Sequence, residues 1–365
     1  RIWGHPIVDP GKGMEKMIII GQKDIMFSQN TPIEVGVQFK KMFCKSYRQK
    51  HGVYPNIRPE GTQLNALIAS NAEWGECDKI DMFNQWVSLK FEKTFAVPES
   101  FNLSMIVADK SVSPTKSELR DNILQKKTVM NQELRRGVLR WINHDSIDPR
   151  EFLMNVNNGE FPDDHKIIGL RSKEREMNPT PRMFALMSHL MRVYVVVTES
   201  MLSEHILPHF PQITMTDNQL DLTKKMYTNV RSQSSGLKGS RKTADQKTVC
   251  MSLDFEKWNG HMRYESTFFV FQALGELFGM DSLYNRTYEI FSESFIYLAD
   301  GSYIPVIKDG SLQEDEPRSF SDHKGGMEGL RQKGWTIFTV CVLNMVCSKY
   351  NCTYKIMGMG DNQVL

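Results

Sequence analysis

Apolar positions along this chain fall into short strand-like runs near its end and longer helix-like stretches before them. Thr248-Val249-Cys250-Met251-Ser252-Leu253 has the β-branched and apolar character of a buried strand, and Asp254 stands where that strand would end. Cys352 to Met357 reads as a second strand. The Gly358-Met359-Gly360-Asp361-Asn362 turn follows it and Val364-Leu365 resumes apolar character, which predicts a hairpin with a carboxylate at its tip. Between them, the glycine-rich stretch Lys324 to Gly329 precedes a long apolar segment running from Leu330 to about Cys347. Pro114 to Trp141, Arg182 to Leu207 and Phe268 to Met280 are the other helical expectations, the last with Phe268, Phe269, Phe271 and Phe278 as core residues. Helical patterns dominate before Lys247 and strands flank the two acidic tips after it, so the expected class is α+β.

Each of these blocks has an ordinary use. Asp254 can cap the segment that follows it, Gly-Asp and Asp-Asn are common turn formers, and a loop with three glycines can be a plain connector. Taken in order, strand-Asp, Gly-loop-helix and hairpin-Gly-Asp fit a site for nucleotidyl transfer. Two carboxylates on neighbouring strand ends can hold two Mg²⁺ ions about 4 Å apart, one activating a 3′-hydroxyl and the other stabilising a leaving pyrophosphate. A glycine loop lets the backbone approach a sugar-phosphate chain closely.

Composition narrows the class. The chain has 365 residues, 40% hydrophobic and 24% charged, as in an ordinary globular protein, and a net charge of +2 that argues against a uniformly electrostatic nucleic-acid coat. Basic charge is local: Lys166 to Lys247 holds 13 Lys and Arg against 7 Asp and Glu. The polar end of that stretch, Arg231 to Lys247, reads as a loop beside a nucleic-acid path or as a solvated linker. Six cysteines show no Cys-x-x-Cys pair and are expected as free thiols in a reducing compartment. His205 and His209 are four apart, but Pro208 breaks any helix that would align them as metal ligands. No apolar run reaches about 18 residues, so no membrane span is expected.

Three blocks then carry a resemblance: SLDFEKWNGHMRYES (Ser252 to Ser266), GGMEGLRQKGWT (Gly325 to Thr336) and MGDNQ (Met359 to Gln363). They are similar to the first, second and third palm motifs of the large (L) polymerase protein of nonsegmented negative-strand RNA viruses (Mononegavirales), most closely the rhabdovirus type. Upstream, RIWGHP (Arg1 to Pro6), DKSVSPTKSEL (Asp109 to Leu119), KERE (Lys173 to Glu176) and Arg182 to Met215 resemble further segments of that family, so the likeness covers nearly the whole chain. Two local departures stand out. Met177-Asn178-Pro179-Thr180-Pro181-Arg182 replaces the family's basic residue and glycine after KERE, and Met359 stands where Gln is usual.

The resemblance implies a right-hand-like viral RNA polymerase core: mainly helical fingers over 1–246, with a triphosphate clamp at 171–182, and a palm with a small antiparallel sheet over 247–365, the thumb missing. It implies Asp254 and Asp361 as catalytic, metal-binding carboxylates for two Mg²⁺ (or Mn²⁺) ions. Lys173, Arg175, Arg182, Asn259 and Asn362 are implied to contact nucleotide, with Asn259 near a ribose 2′-hydroxyl. Gly325, Gly326, Glu328, Gly329, Gln332 and Lys333 are implied to form a loop over template or nucleotide. From the residues alone, Lys173 to Glu176 reads first as a solvated face with helical ion pairs, and Asn259 can equally cap a helix. The implied function is RNA-directed RNA synthesis for viral replication and transcription. The implied partners are RNA template and product, ribonucleoside triphosphates, a viral phosphoprotein and nucleoprotein-coated RNA, in the host cytoplasm and virion or, for some relatives, the nucleus. The chain begins on Arg1 and stops within the expected hairpin, so a piece of a longer protein is expected. The alternative is an inactive, truncated or host-captured remnant that keeps RNA or phosphoprotein binding.

Overall fold

A computed structural model describes residues 8–59, 82–101, 111–126, 136–144, 146–173, 178–235, 249–350 and 353–365. Among them the helices are α1 (Pro10–Gln22), α2 (Asn30–His51), α3 (Met82–Ser88), α4 (Lys116–Leu124), α5 (Gly137–Asn143), α6 (Pro149–Asn157), α7 (His189–Met201), α8 (Gln219–Ser235), α9 (Tyr264–Glu276), α10 (Arg286–Ser292) and α11 (Gln332–Ser348). The strands are β1 (Ile167–Ser172), β2 (Met183–Met187), β3 (Ser252–Asp254), β4 (Phe295–Leu298), β5 (Val306–Lys308), β6 (Ser311–Gln313), β7 (Ser319–Phe320), β8 (Met357–Met359) and β9 (Asn362–Val364). No described helix is long and apolar enough to cross a membrane.

The strands form three small sheets, so the fold is mixed α+β. One has the order β2-β1-β4-β7, the second β3-β9-β8, and the third is the β5-β6 hairpin. The second is wholly antiparallel and carries both acidic tips. In the first, β1 runs antiparallel to β2 and parallel to β4, so strands from before and after residue 247 share one sheet.

Several boundaries differ from the pattern reading. Thr248 to Leu253 was expected as a buried strand, yet β3 is only Ser252–Asp254, and Val249 and Met251 are 69% and 43% exposed. β3 lies at the edge of its sheet and pairs only with β9, and Val249 and Met251 precede it with their side chains largely uncovered. The second strand begins at Met357, not near Cys352, which lies outside the described residues. Met183–Met187 is a strand rather than the start of a helix, because its alternate residues Met183, Ala185 and Met187 turn inward at period two. Among the described residues of Pro114 to Trp141 lie α4, capped by a reciprocal Thr115–Glu118 pair, and the start of α5.

The core is built around three helices. α2 packs against both α9 and α11, approaching α9 closely where Gly36 faces the Phe269 Cβ, and α11 in turn meets α9 where Gly334 faces the Phe271 ring. Phe271 and Phe278 are fully buried as expected, whereas Phe268 and Phe269 are only partly covered. His205 and His209 join an aromatic cluster, their rings 4.9 Å from Phe95 and 5.1 Å from Phe43.

Candidate active site

The three blocks meet on one side of α11. Asp254 pairs in register with Asn362, and the Phe255 N–H donates to the Asp361 carbonyl at 3.2 Å, so both carboxylates sit at one end of the β3-β9-β8 sheet. The hairpin turn that holds Asp361 needs Gly360 at φ +64, in the left-handed region glycine occupies without strain. Within it the Asn362 amide donates to Asp361 Oδ1 at 2.9 Å, and the buried Gln363 side chain closes the turn onto the Gly360 carbonyl at 2.8 Å.

Two threonines of α11 hold the acid-bearing elements in place. Thr336 Oγ1 accepts the Gly360 N–H at 3.2 Å and donates to the Gln332 carbonyl, tying the hairpin to the start of the helix. Thr339 Oγ1 accepts the Trp258 indole N–H at 2.9 Å, anchoring the segment that follows Asp254. Trp258 also meets Trp335 edge to face, with centroids 6.2 Å apart.

The glycine loop docks on that same segment. The Gly326 N–H donates to the Asn259 carbonyl at 3.1 Å. A Cβ on Gly326 would lie 2.6 Å from that carbonyl and inside the Trp335 ring, and one on Gly325 would lie 2.5 Å from the Gly260 carbonyl. Glycine is therefore a steric requirement at both positions. Gly329, at φ +85, has open space around it and is needed for its backbone conformation instead. Asn259 itself lies in a 3-10 turn, with a buried side-chain oxygen that no donor reaches among the described residues.

The basic candidates arrive on the β1-β2 hairpin. The Lys173 N–H donates to the Arg182 carbonyl at 2.9 Å, so the two face each other directly beyond the β1-β2 ladder, and Lys173 Nζ stands 5.8 Å from the Phe184 ring. Arg182 reaches Glu328 of the glycine loop at 3.6 Å, bringing hairpin and loop into contact. Arg175 lies outside the described residues, as does most of Arg231 to Lys247. The prolines of the connection are used in packing: the Asp9 N–H donates to the Pro179 carbonyl at 2.9 Å, and Gly13 of α1 lies close to the Pro181 carbonyl and Met183. Lys333 contributes its backbone N–H to Glu199 at 2.8 Å, and Gln332 its carbonyl to Thr336.

Three buried residues that the pattern reading passed over support this assembly. Arg263 caps the end of α1 through the Ile20 and Lys23 carbonyls at 2.6 and 3.0 Å, and binds the Gly260 carbonyl at 2.6 Å. Arg331, 1% exposed and at φ +56, lies between the Tyr194 and Tyr284 rings (4.5 and 5.4 Å), bonds to Thr198 and Thr287, and sits 3.7 Å from Glu199. His323 stands beneath the loop, 3.3 Å from the Gly326 carbonyl, and burial holds its imidazole down to about 4. The signal available in the sequence is polarity inside apolar surroundings, as with Thr336 and Thr339 within the otherwise apolar run Trp335 to Leu343.

The donors suit a hard divalent cation. Asp254 and Asp361 offer carboxylate oxygens, and Mg²⁺ commonly takes one or two carboxylates and completes its shell with substrate phosphates and water. Among the described residues no group of three or more His, Cys, Asp and Glu forms a self-sufficient cage, so such an ion would depend on substrate oxygens.

Comparison with known proteins extends this picture over the whole chain. The family model described as Mononegavirales RNA dependent RNA polymerase matches residues 1–365. The chain is 71% identical over 366 residues to RNA-directed RNA polymerase L of Lettuce necrotic yellows virus (isolate 318) and 37% identical to the same-named protein of Lettuce big-vein associated virus. It is 35% identical over 384 residues to the Large structural protein of Mokola virus. All of this chain is covered in each case, but only 18%, 18% and 17% of those proteins; it spans about a fifth of their length.

Proposed function

Since the chain belongs to the Mononegavirales RNA-dependent RNA polymerase family, we propose that it carries the nucleotidyl-transfer centre of an RNA-directed RNA polymerase. The observation that carries this reading is the meeting of Asp254, Asp361 and the Gly325-Gly326 loop on one side of α11. In this reading residues 247–365 form the palm and 1–246 the fingers of a right-hand polymerase core whose thumb belongs to a further part of the protein.

A primer 3′-hydroxyl attacks the α-phosphate of a ribonucleoside triphosphate, and pyrophosphate leaves. Asp254 and Asp361 would hold Mg²⁺, or Mn²⁺, which supplies charge neutralisation at the reacting phosphate and a more acidic 3′-hydroxyl. Lys173 and Arg182, with Arg175, bind the triphosphate, whose charge exchanges with Glu328 for Arg182. Asn259 hydrogen-bonds a ribose 2′-hydroxyl through its side-chain amide, and Asn362 orients Asp361. Gly325, Gly326 and Gly329 keep the loop low over template and nucleotide, with Gln332 and Lys333 fixing its junction with α11. RNA, nucleoside triphosphates, a phosphoprotein and nucleoprotein-coated RNA are the partners of this reading, which locates the protein in the host cytoplasm and virion, with the nucleus an option for some relatives.

In the full-length polymerase, Asp254→Ala and Asp361→Ala are each expected to lower single-nucleotide incorporation by at least about a hundred-fold, the scale of several kcal/mol of charge stabilisation. Incorporation at the unaltered rate in either variant would overturn the assignment.

A further inference from the structure

Arg331 is a buried cation at the junction of the glycine loop and α11, and packing alone gives little reason for it. Its backbone is left-handed, at φ +56, which strains any residue with a side chain. The guanidinium lies between the Tyr194 and Tyr284 rings, 4.5 and 5.4 Å from their centres, with Nε donating to Thr287 Oγ1 at 2.8 Å and Nη1 to Thr198 Oγ1. Glu199 stands 3.7 Å away and is itself largely buried. The two rings are held in turn: the Tyr194 hydroxyl donates to the Leu283 carbonyl, and the Tyr284 hydroxyl to the Thr198 carbonyl at 3.1 Å. A planar fork gripped in this way has one orientation. An apolar side chain would pack here without the desolvation that a buried charge costs.

What these contacts fix is the start of α11. The first N–H groups of a helix have no partner within it, and Arg331, the residue before the first turn, caps none of them with its own side chain. Glu199 does so from α7: its Oε2 accepts the Lys333 N–H at 2.8 Å while its Oε1 faces the Arg331 guanidinium. One turn further on, Thr336 Oγ1 donates to the Gln332 carbonyl and accepts the Gly360 N–H, and Thr339 Oγ1 accepts the Trp258 indole N–H. Gly360 precedes Asp361, and Trp258 lies four residues past Asp254. From Arg331 to Thr336 the helix rises only about 7.5 Å. A shift of its first turn is therefore passed on to both acid-bearing elements.

We propose that Arg331 and Glu199 are positioning residues of the nucleotidyl-transfer centre: they lock the first turn of α11 and, through Thr336 and Thr339, set Asp361 and Asp254 at the spacing a divalent cation needs. Neither residue touches the reacting atoms. Strain and buried charge persist only where the surrounding structure over-determines them, and here both are concentrated at the one residue that joins the glycine loop to the helix carrying the two threonines. A purely structural role would tie Arg331 to the stability of the core and leave the arrangement of the carboxylates indifferent to its replacement. The proposal rests on the polymerase reading and adds to it a relay from α7 to the acidic tips.

The test uses the full-length polymerase with Arg331→Met, Arg331→Lys, Glu199→Gln, Thr336→Val and the Arg331→Met, Thr336→Val double variant, beside Asp361→Asn. Mn²⁺ binding in the presence of template, primer and an α,β-methylene nucleoside triphosphate is titrated by loss of the free-ion EPR signal, with thermal unfolding and incorporation measured alongside. Arg331→Met and Thr336→Val are each expected to weaken Mn²⁺ binding on the order of ten-fold, as does loss of a group that orients metal ligands. Arg331→Lys is expected to lose less, since it keeps a charge facing Glu199, and Glu199→Gln to weaken binding in the same direction. The double variant is expected to lose no more than the larger single loss, because both changes interrupt one relay. Wild-type Mn²⁺ affinity in the Arg331 variants, whatever their melting temperature, would overturn the positioning role, and additive losses in the double variant would overturn the path through Thr336. If Arg331→Met does not fold, Arg331→Lys and Glu199→Gln, which change little volume, decide the matter: wild-type affinity in both overturns the role. Asp361→Asn keeps the two readings apart. Incorporation that survives it would count against the polymerase centre, whereas unshifted Mn²⁺ affinity in the Arg331 variants beside an inactive Asp361→Asn would count only against the relay.

Discussion

At the scale of single residues, glycines with the same composition have different duties. Gly326 is enclosed by the Asn259 carbonyl and the Trp335 ring, whereas Gly329 stands in open space at φ +85. Gly326→Ala must therefore push the loop off the segment after Asp254, at a cost of about 1–3 kcal/mol for overpacking. Its nucleotide incorporation is expected to fall more than ten-fold. Gly329→Ala meets only the left-handed backbone penalty, about 1–2 kcal/mol. Thermal unfolding and incorporation measured together separate them: both variants lose stability, and only Gly326→Ala loses turnover out of proportion. The three glycines were visible in the sequence as a loop. Which of them is sterically required was not, because the atoms that enclose Gly326 belong to residues 9 and 67 positions away.

At the scale of elements, the β8-β9 hairpin depends on one buried amide. Gln363 folds across Gly358 to reach the Gly360 carbonyl, and a Cβ on Gly358 would occupy the place of its side-chain oxygen. Gly358→Ala is expected to displace Gln363, destabilise the hairpin by about 1–3 kcal/mol and move Asp361, seen as lower melting temperature and slower incorporation. Met359, one residue along, is 53% exposed on the other side of the strand. Met359→Gln is expected to change stability by less than about 0.5 kcal/mol. The hairpin and its acidic tip were legible from turn chemistry alone. The length of β3 was overestimated because an apolar run does not reveal whether a second layer will cover it.

At the scale of the molecule, three buried histidines and the half-buried His165 tie stability to pH. Burial lowers His165, His209 and His323 to about 4 and His189 to about 3, from an ordinary value of 6.5. The unfolded chain then binds more protons than the folded one between those values, so stability is complete above about pH 6.5 and falls as pH drops toward 4. Each histidine contributes at most about 1.4 kcal/mol per pH unit. Unfolding measured from pH 7.5 to 4.5 is expected to show this loss, and His323→Gln to make it shallower; a pH-independent midpoint would contradict the buried neutral imidazoles. The sequence by itself determined the order of the three blocks, the residue types at the acidic tips and the α+β class, because strand alternation, turn chemistry and apolar periodicity are local properties. Only the tertiary structure decided that Asp254 and Asp361 share one sheet end, that Thr336 and Thr339 hold them to one helix, and that Arg331 lies buried between Tyr194 and Tyr284. Those outcomes depend on register and on contacts between residues tens to hundreds of positions apart, which local pattern does not encode.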